Sequence, residues 1–452
     1  MEDLSHQLIH SLCGEFEKHN HIDSGYYDTW NVKRGLRNAD GTGVMAGLTQ
    51  IGNVQGYYMQ DGERCPMEGR LIYRGINIEQ LIEGFLSEKR FGYEETAYLL
   101  LFGTLPTAEQ LKLFNETLCR FRPLPKDFTE DMILKAPSAD LMNKLSRAVL
   151  TLYSYDEHPD TGSMEEELRK ALQLIARVPV IVAHSFAAKR HYFDNESLYI
   201  HRPQDGLSLA ENFLYSVRHD NRYTPEEARL LDLCLVLHAE HGGGNNSAFS
   251  CRVLSSSGTD LYSSIAAAVG SLKGPRHGGA NKKVMEMFSA IESGVGDWKD
   301  DDEVTAFLNR LLEKEAGDRS GLIYGMGHAI YTLSDPRAKI LKRFAKTVAA
   351  QKGPDALAEL ELAESVERLA PDALRAHGHN KVVCANVDLY SGMVYKMMDI
   401  PAELYTPLFA MSRMAGWCAH RMEEVFNPGN RIIRPAYKCV AQEVPFLPLD
   451  QR

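Results

Sequence analysis

Cysteine is sparse and scattered in this chain: eight residues at 13, 65, 119, 234, 251, 384, 418 and 439, with no C-x-x-C pair and no zinc spacing among 452 positions. That pattern excludes a disulfide scaffold and leaves reduced, mostly buried thiols as the expectation. Long hydrophobic runs are missing too. The longest uncharged apolar stretch, Val178 to Ala188, falls far short of the roughly 20 residues a membrane span needs. There is no excess of cations: 50 Lys and Arg face 61 Asp and Glu, and a net charge of −11 disfavours nucleic acid and anionic lipid as partners. The first residues, MEDLSHQLIH, contain early acids instead of a basic stretch followed by an apolar block, so a cytoplasmic location is expected. Nucleotide and hydrolase signatures are absent as well: no G-x-x-x-x-G-K-[ST], no G-x-S-x-G, no H-E-x-x-H, and only two glycines of G-x-G-x-x-G at Gly325 and Gly327.

What remains has the composition of a folded globular protein, 44% hydrophobic and 25% charged. Most of it repeats at the helical period. Thr224, Pro225 and Glu227 give an N-cap, a first-turn proline and a capping-box acid, and the helix they open should end near Gly242. Asp335 followed by Pro336 starts another helix, with Arg337 in its first turn, and Thr107 with Gln110 opens a third. Similar patterns cover about 139–154, 162–192, 260–272, 281–291, 301–315, 357–370, 389–398 and 403–425. Strand signals are confined to about 43–73, where one small hairpin is expected. The fold class is therefore all-α. From about Asn427 the chain carries prolines at 428, 435, 445 and 448 and reads as an extended tail.

Among the histidines that stand beside glycine, where a ligand can approach closely, are His241, His277, His328 and His379. His238 and His241, spaced i, i+3, could share a helical face and bind a metal, but no third ligand stands at a recognisable distance. The other combination is Asp388 with several histidines and with Arg337, Arg413 and Arg434. Guanidinium groups fork onto carboxylates, so three of them suit a substrate bearing more than one carboxylate, although each alone reads first as a surface or ion-pair residue.

Several blocks of the chain resemble citrate synthases: the stretch from GLRNADGTGV to INIEQL, then FGYEETAYLLLFGTLP, LHAEHGGGNNSAFSCR, SLKGPRHGGANKKV, GLIYGMGHAIYTLSDPRAKIL, NVDLYSGMVY and SRMAGWCAH. The resemblance implies condensation of acetyl-CoA with oxaloacetate and water, giving citrate and free coenzyme A. It implies a catalytic trio of His277, His328 and Asp388, and an oxaloacetate site of His241, Arg337, Arg413 and Arg434. Arg434 would reach in from the neighbouring subunit of a homodimer. Leu322, Ile323, Gly325, Met326 and Gly327, with Lys381 and Asn386, would meet coenzyme A, which serves as a substrate; no permanently bound cofactor and no metal are implied. The implied architecture is a large helical domain, 1–278 with 391–452, and a small one, 279–390, that closes over the site. A 2-methylcitrate synthase using propionyl-CoA is the nearest rival. A His-dependent metallohydrolase and a non-catalytic coenzyme A-binding relative are rivals of other classes.

Overall fold

The computed structural model describes residues 2–379, 381–429 and 431–451. Its contacts divide the chain into two units: Leu48–Ile432, and a second made of the segments up to Gly47 and from Ile433 onward. In the terminal unit an 18-residue helix, Glu2–His19, is followed by short turns, and Lys438 of the C-terminal segment lies over the Trp30 ring at 4.6 Å. The expected extended tail is there, without regular structure from 431 to 448.

The larger unit is helical apart from one antiparallel sheet, β1 (Gly52–Gln60), β2 (Glu63–Tyr73) and the two-residue β3 (Ile76–Asn77), in that order. The expected hairpin is thus present, with a short third strand that no local pattern announced. The capping motifs at Thr107 and Thr224 form as read, each with the reciprocal pair of hydrogen bonds. Where the sequence pattern was silent, helices also form over Ile78–Ser87, Tyr93–Phe102, Leu209–Val217 and Asn246–Ser256.

The core runs along two long helices. Met164–Asp194 is, among the described residues, the one helix long and apolar enough to cross a membrane, yet its most apolar stretch is mostly buried by neighbouring helices. A helix apolar on most sides is what a central core position demands. Tyr405–Phe426 packs against it and carries Arg413, Gly416, Trp417 and His420, all buried. A buried trio joins the two: Glu167 takes Lys170 Nζ at 2.9 Å and Arg421 Nε at 3.1 Å.

Away from this axis, Asp232 accepts the N–H groups of Gly92 (2.6 Å) and Tyr93 (3.1 Å) at the start of the Tyr93–Phe102 helix. Glu94 accepts that of Leu209 at 2.6 Å, so each carboxylate satisfies helix-start donors with no intrahelical partner. Burial raises both acids above their ordinary range; the charge of Glu94 raises Asp232 further, and that of Glu211 raises both. A carboxyl raised in the folded state contributes stability that is complete below its unfolded value near 4 and is lost as pH rises through the folded one. The unfolding midpoint of the wild type is therefore expected to fall faster between pH 6 and 9 than that of Asp232→Asn. Thermal unfolding across that range checks it, and parallel curves would refute the assignment.

Candidate active site

Three chain segments meet around two buried guanidinium groups. The first is the turn after the Pro225–His238 helix. This helix stops at His238, so His238 and His241 do not share a helical face as their spacing suggested; His241 lies beyond the end, before Gly242 at φ 83°. Both rings are buried, and desolvation, reinforced by the charge of Arg337 and Arg413, holds both well below the usual histidine range. They are neutral at physiological pH. His238 packs against Phe409, and neither of its ring nitrogens has a hydrogen-bond partner among the described residues.

The second segment is the loop 274–279 between the helices Leu261–Lys273 and Ala280–Gly294. It turns tightly, with Gly278 N–H donating to Leu272 O at 2.9 Å, and a Cβ on Gly278 would collide with Leu272. This loop presents His277, whose Nε2 lies 3.0 Å from Ser247 Oγ. Trp417 Nε1 donates to the same oxygen at 3.2 Å, and Asn245 Oδ1 is 2.9 Å away as an acceptor. The serine has one proton and two acceptors for it. Given to Asn245 Oδ1, it leaves His277 Nε2–H to donate to the hydroxyl oxygen; given to His277 Nε2, it leaves the ring's own proton on Nδ1, where the imidazole is a donor. Burial first, then Arg413, pushes His277 down to about 4, so the ring is neutral.

The third segment runs from Leu322 to Asp388 and is clasped on itself. Gly327 N–H donates to Cys384 O (2.7 Å), Asn386 N–H to Gly325 O (2.9 Å), and Asn386 Nδ2 to Gly327 O (2.9 Å). Gly325 has φ 82°, and a Cβ there would stand 3.0 Å from Leu389 Cα; only glycine allows the two strands of the clasp to meet. The clasp sets His328 against the start of the Val387–Met397 helix, which Asn386 caps. His328 Nδ1 accepts the N–H groups of Ile330 and Tyr331, both at 3.1 Å, so its proton is on Nε2 and that edge donates. Its ring stacks on Tyr331 (centroids 4.5 Å, 28°) and meets His241 edge-on at 5.1 Å. The β1–β2 hairpin braces this loop through glycine: a Cβ on Gly69 would strike Ser334 and Tyr331, and one on Gly56 would strike Ile330 and Tyr331.

The arginines differ from each other. Arg337 is forked onto Asp335 (Nε–Oδ1 3.0 Å, NH2–Oδ2 2.7 Å), and Asp335 Oδ2 also takes Val387 N–H at 3.1 Å, so one aspartate ties the guanidinium to the start of the Asp388 helix. This counter-ion was legible only as a helix cap. Arg413 donates Nε to His238 O at 2.6 Å, lies 4.7 Å over Phe409, and keeps NH2 buried with no hydrogen-bond partner among the described residues. Burial lowers it to about 10, still charged at neutral pH.

Asp388 completes the set. Its N–H bonds Asn386 Oδ1 at 3.0 Å, but its carboxylate accepts no hydrogen bond among the described residues. Desolvation raises it to about 6, against the lowering fields of Arg337 and Arg413. A carboxylate that has lost water without gaining donors is the more basic for it.

Of the other expected residues, Leu322 is exposed, Ile323 is buried in the core and can offer a ligand only its backbone, and Lys381 is exposed. Arg434 lies exposed on the extended segment of the terminal unit. No group of three metal-ligating side chains occurs among the described residues.

The profile of the family described as "Citrate synthase, C-terminal domain" matches residues 38–436. The citrate synthase of Haloferax volcanii is 36% identical over 429 residues, covering 93% of this chain and 99% of its own. That of Acidithiobacillus ferridurans is 36% identical over 416 residues, covering 91% and 97%. Among solved structures, citrate synthase from Pyrobaculum aerophilum has 32% identity and a TM-score of 0.73, covering 90% of this chain and 94% of its own. The Thermoplasma acidophilum citrate synthase, a ternary complex with carboxymethyl coenzyme A and oxaloacetate, has 26% identity and a TM-score of 0.76, covering 93% and 99%. A match of this extent, over a helical fold with these histidines and arginines gathered in one place, makes the chain an enzyme that belongs to the citrate synthase family.

Proposed function

We propose that the chain condenses acetyl-CoA with oxaloacetate and hydrolyses the product to citrate and free coenzyme A. The observation that carries this is Asp388: a carboxylate raised to about 6, free of hydrogen-bond donors and set in the field of two buried guanidiniums. Arg413 NH2 and the remaining NH1 of Arg337 would hold the carboxylates of oxaloacetate, with His241 beside them. Asp388 takes a proton from the thioester methyl. His277 donates to the thioester oxygen, so charge builds on an oxygen that already has a donor. The enol carbon attacks the keto carbon of oxaloacetate, and His328 Nε2–H donates to the oxygen that becomes the hydroxyl. Water then cleaves the citryl thioester, releasing the thiol. No step calls for a metal or a permanently bound cofactor.

The coenzyme A part would lie along 322–327 with Lys381 and Asn386, and segment 279–390 would close over oxaloacetate to keep water from the thioester. A homodimer in which Arg434 joins the partner's site fits the terminal unit, which leaves Ile9, Leu12, Phe16, Trp30, Tyr437 and Phe446 exposed. Purified protein should release free thiol from acetyl-CoA only when oxaloacetate is present, and a chelator should not change the rate. Thiol release without oxaloacetate, or loss of it with chelator, refutes the reading. Propionyl-CoA in the same assay decides the 2-methylcitrate alternative, because one methylene in an apolar pocket is worth only about 1–3 kcal/mol.

A further inference from the structure

One buried ionic group has no part in this chemistry. Glu240 stands within the His238–His241 turn and is wholly buried. Its Oε1 accepts His420 Nε2 at 3.0 Å and also the N–H of Gly242. Arg252 NH2 donates to the other ring nitrogen of His420, Nδ1, at 2.7 Å. Since arginine only donates, the His420 proton sits on Nε2 and points at Glu240. Arg252 is itself held by Glu423 and by Glu424 (NH1–Oε2 2.8 Å), and Glu423 accepts Gln50 N–H at 2.8 Å. The carboxylate has a socket made for it: a Cβ on Gly52 would lie 2.7 Å from Oε1, and one on Gly416 would lie 2.6 Å from Oε2.

Such a group is costly to bury, and removing its partners is costlier still. What it does locally is pin His241 from both sides. Tyr73 OH lies 3.0 Å from Glu240 O, the carbonyl before His241, while the Glu240 carboxylate holds the N–H of Gly242, the amide after it. His241 then has one backbone setting, with Nε2 3.3 Å from Tyr331 OH and its ring against His328.

We propose that Glu240, held by His420, is a positioning residue for oxaloacetate binding that acts through His241. This rests on the functional reading above and adds to it a pair that touches no substrate. Calorimetric titration of the purified protein with oxaloacetate alone tests it. Glu240→Gln should weaken binding roughly tenfold, and in a His241→Ala background the same change should do almost nothing further. His420→Gln, which keeps a donor where Nε2 was, should bind like the wild type, whereas His420→Asn, which keeps only the Arg252 acceptor, should match Glu240→Gln. The two His420 variants carry the test should Glu240→Gln fail to fold. Additive losses with His241→Ala overturn the proposal. So does tighter binding by Glu240→Gln, which would make the carboxylate a mere counter-charge to Arg413. A wild type that binds no oxaloacetate overturns the functional reading first; a wild type that binds it with additive losses overturns this inference alone.

Discussion

Asp388→Asn should lower kcat by about 10³-fold while oxaloacetate affinity stays within about threefold of wild type. The amide has nearly the shape of the carboxylate but no basic lone pair, so binding geometry survives and proton abstraction does not. In the proposed reaction the proton is that of a thioester methyl, a very weak acid, and an ordinary aspartate near 4 is poorly matched to it. Burial without hydrogen-bond donors narrows the gap by raising Asp388 to about 6, and the two arginines stop it rising further. Because the base must be ionised to work, kcat/KM of the wild type should climb with pH and level off above a midpoint near 6. Thiol release at subsaturating acetyl-CoA from pH 5 to 8 measures that midpoint, and calorimetry with oxaloacetate measures the affinity. An acid limb centred near 4, or an Asn variant within tenfold of wild type, would remove Asp388 from the role of base.

Part of this site is legible in the sequence for a physical reason. Glycines at 278, 325 and 327 mark places where backbone must turn tightly or touch backbone, and such places show as local strings around His277 and His328. Helix caps are local too, which is why Thr107, Thr224 and Asp335 open their helices as read. Long-range pairing is not local. Nothing near Asp335 says that its carboxylate grips Arg337 and the amide of Val387 at once, nor does anything near residue 240 announce an imidazole 180 positions away. His238 and His241 show the limit from the other side, since an i, i+3 spacing means one face only while the helix lasts, and this one ends at His238. The helix Tyr93–Phe102 escapes the periodicity because most of its residues are buried, so no polar face alternates with an apolar one.

Arg413→Ala should act in the opposite sense to Asp388→Asn, weakening oxaloacetate about 10²-fold and leaving kcat at saturation within severalfold. Truncating one partner of a buried, hydrogen-bonded charge pair costs about 3 kcal/mol, and a dianion in this cleft would have little else to offset it. Arg337 has already given two of its donors to Asp335, whereas Arg413 has a buried NH2 with no hydrogen-bond partner among the described residues. The same residue also supports the fold, since its Nε holds the carbonyl of His238 and its plane lies on Phe409. Alanine would strip both, so a loss of stability could imitate a loss of binding. Arg413→Lys separates the two, because lysine keeps the charge and much of the packing but not the planar fork. It should unfold close to the wild-type temperature and still bind oxaloacetate at least tenfold more weakly. If the lysine variant binds like wild type, charge alone is what the cleft supplies, and the forked contact with a substrate carboxylate is wrong.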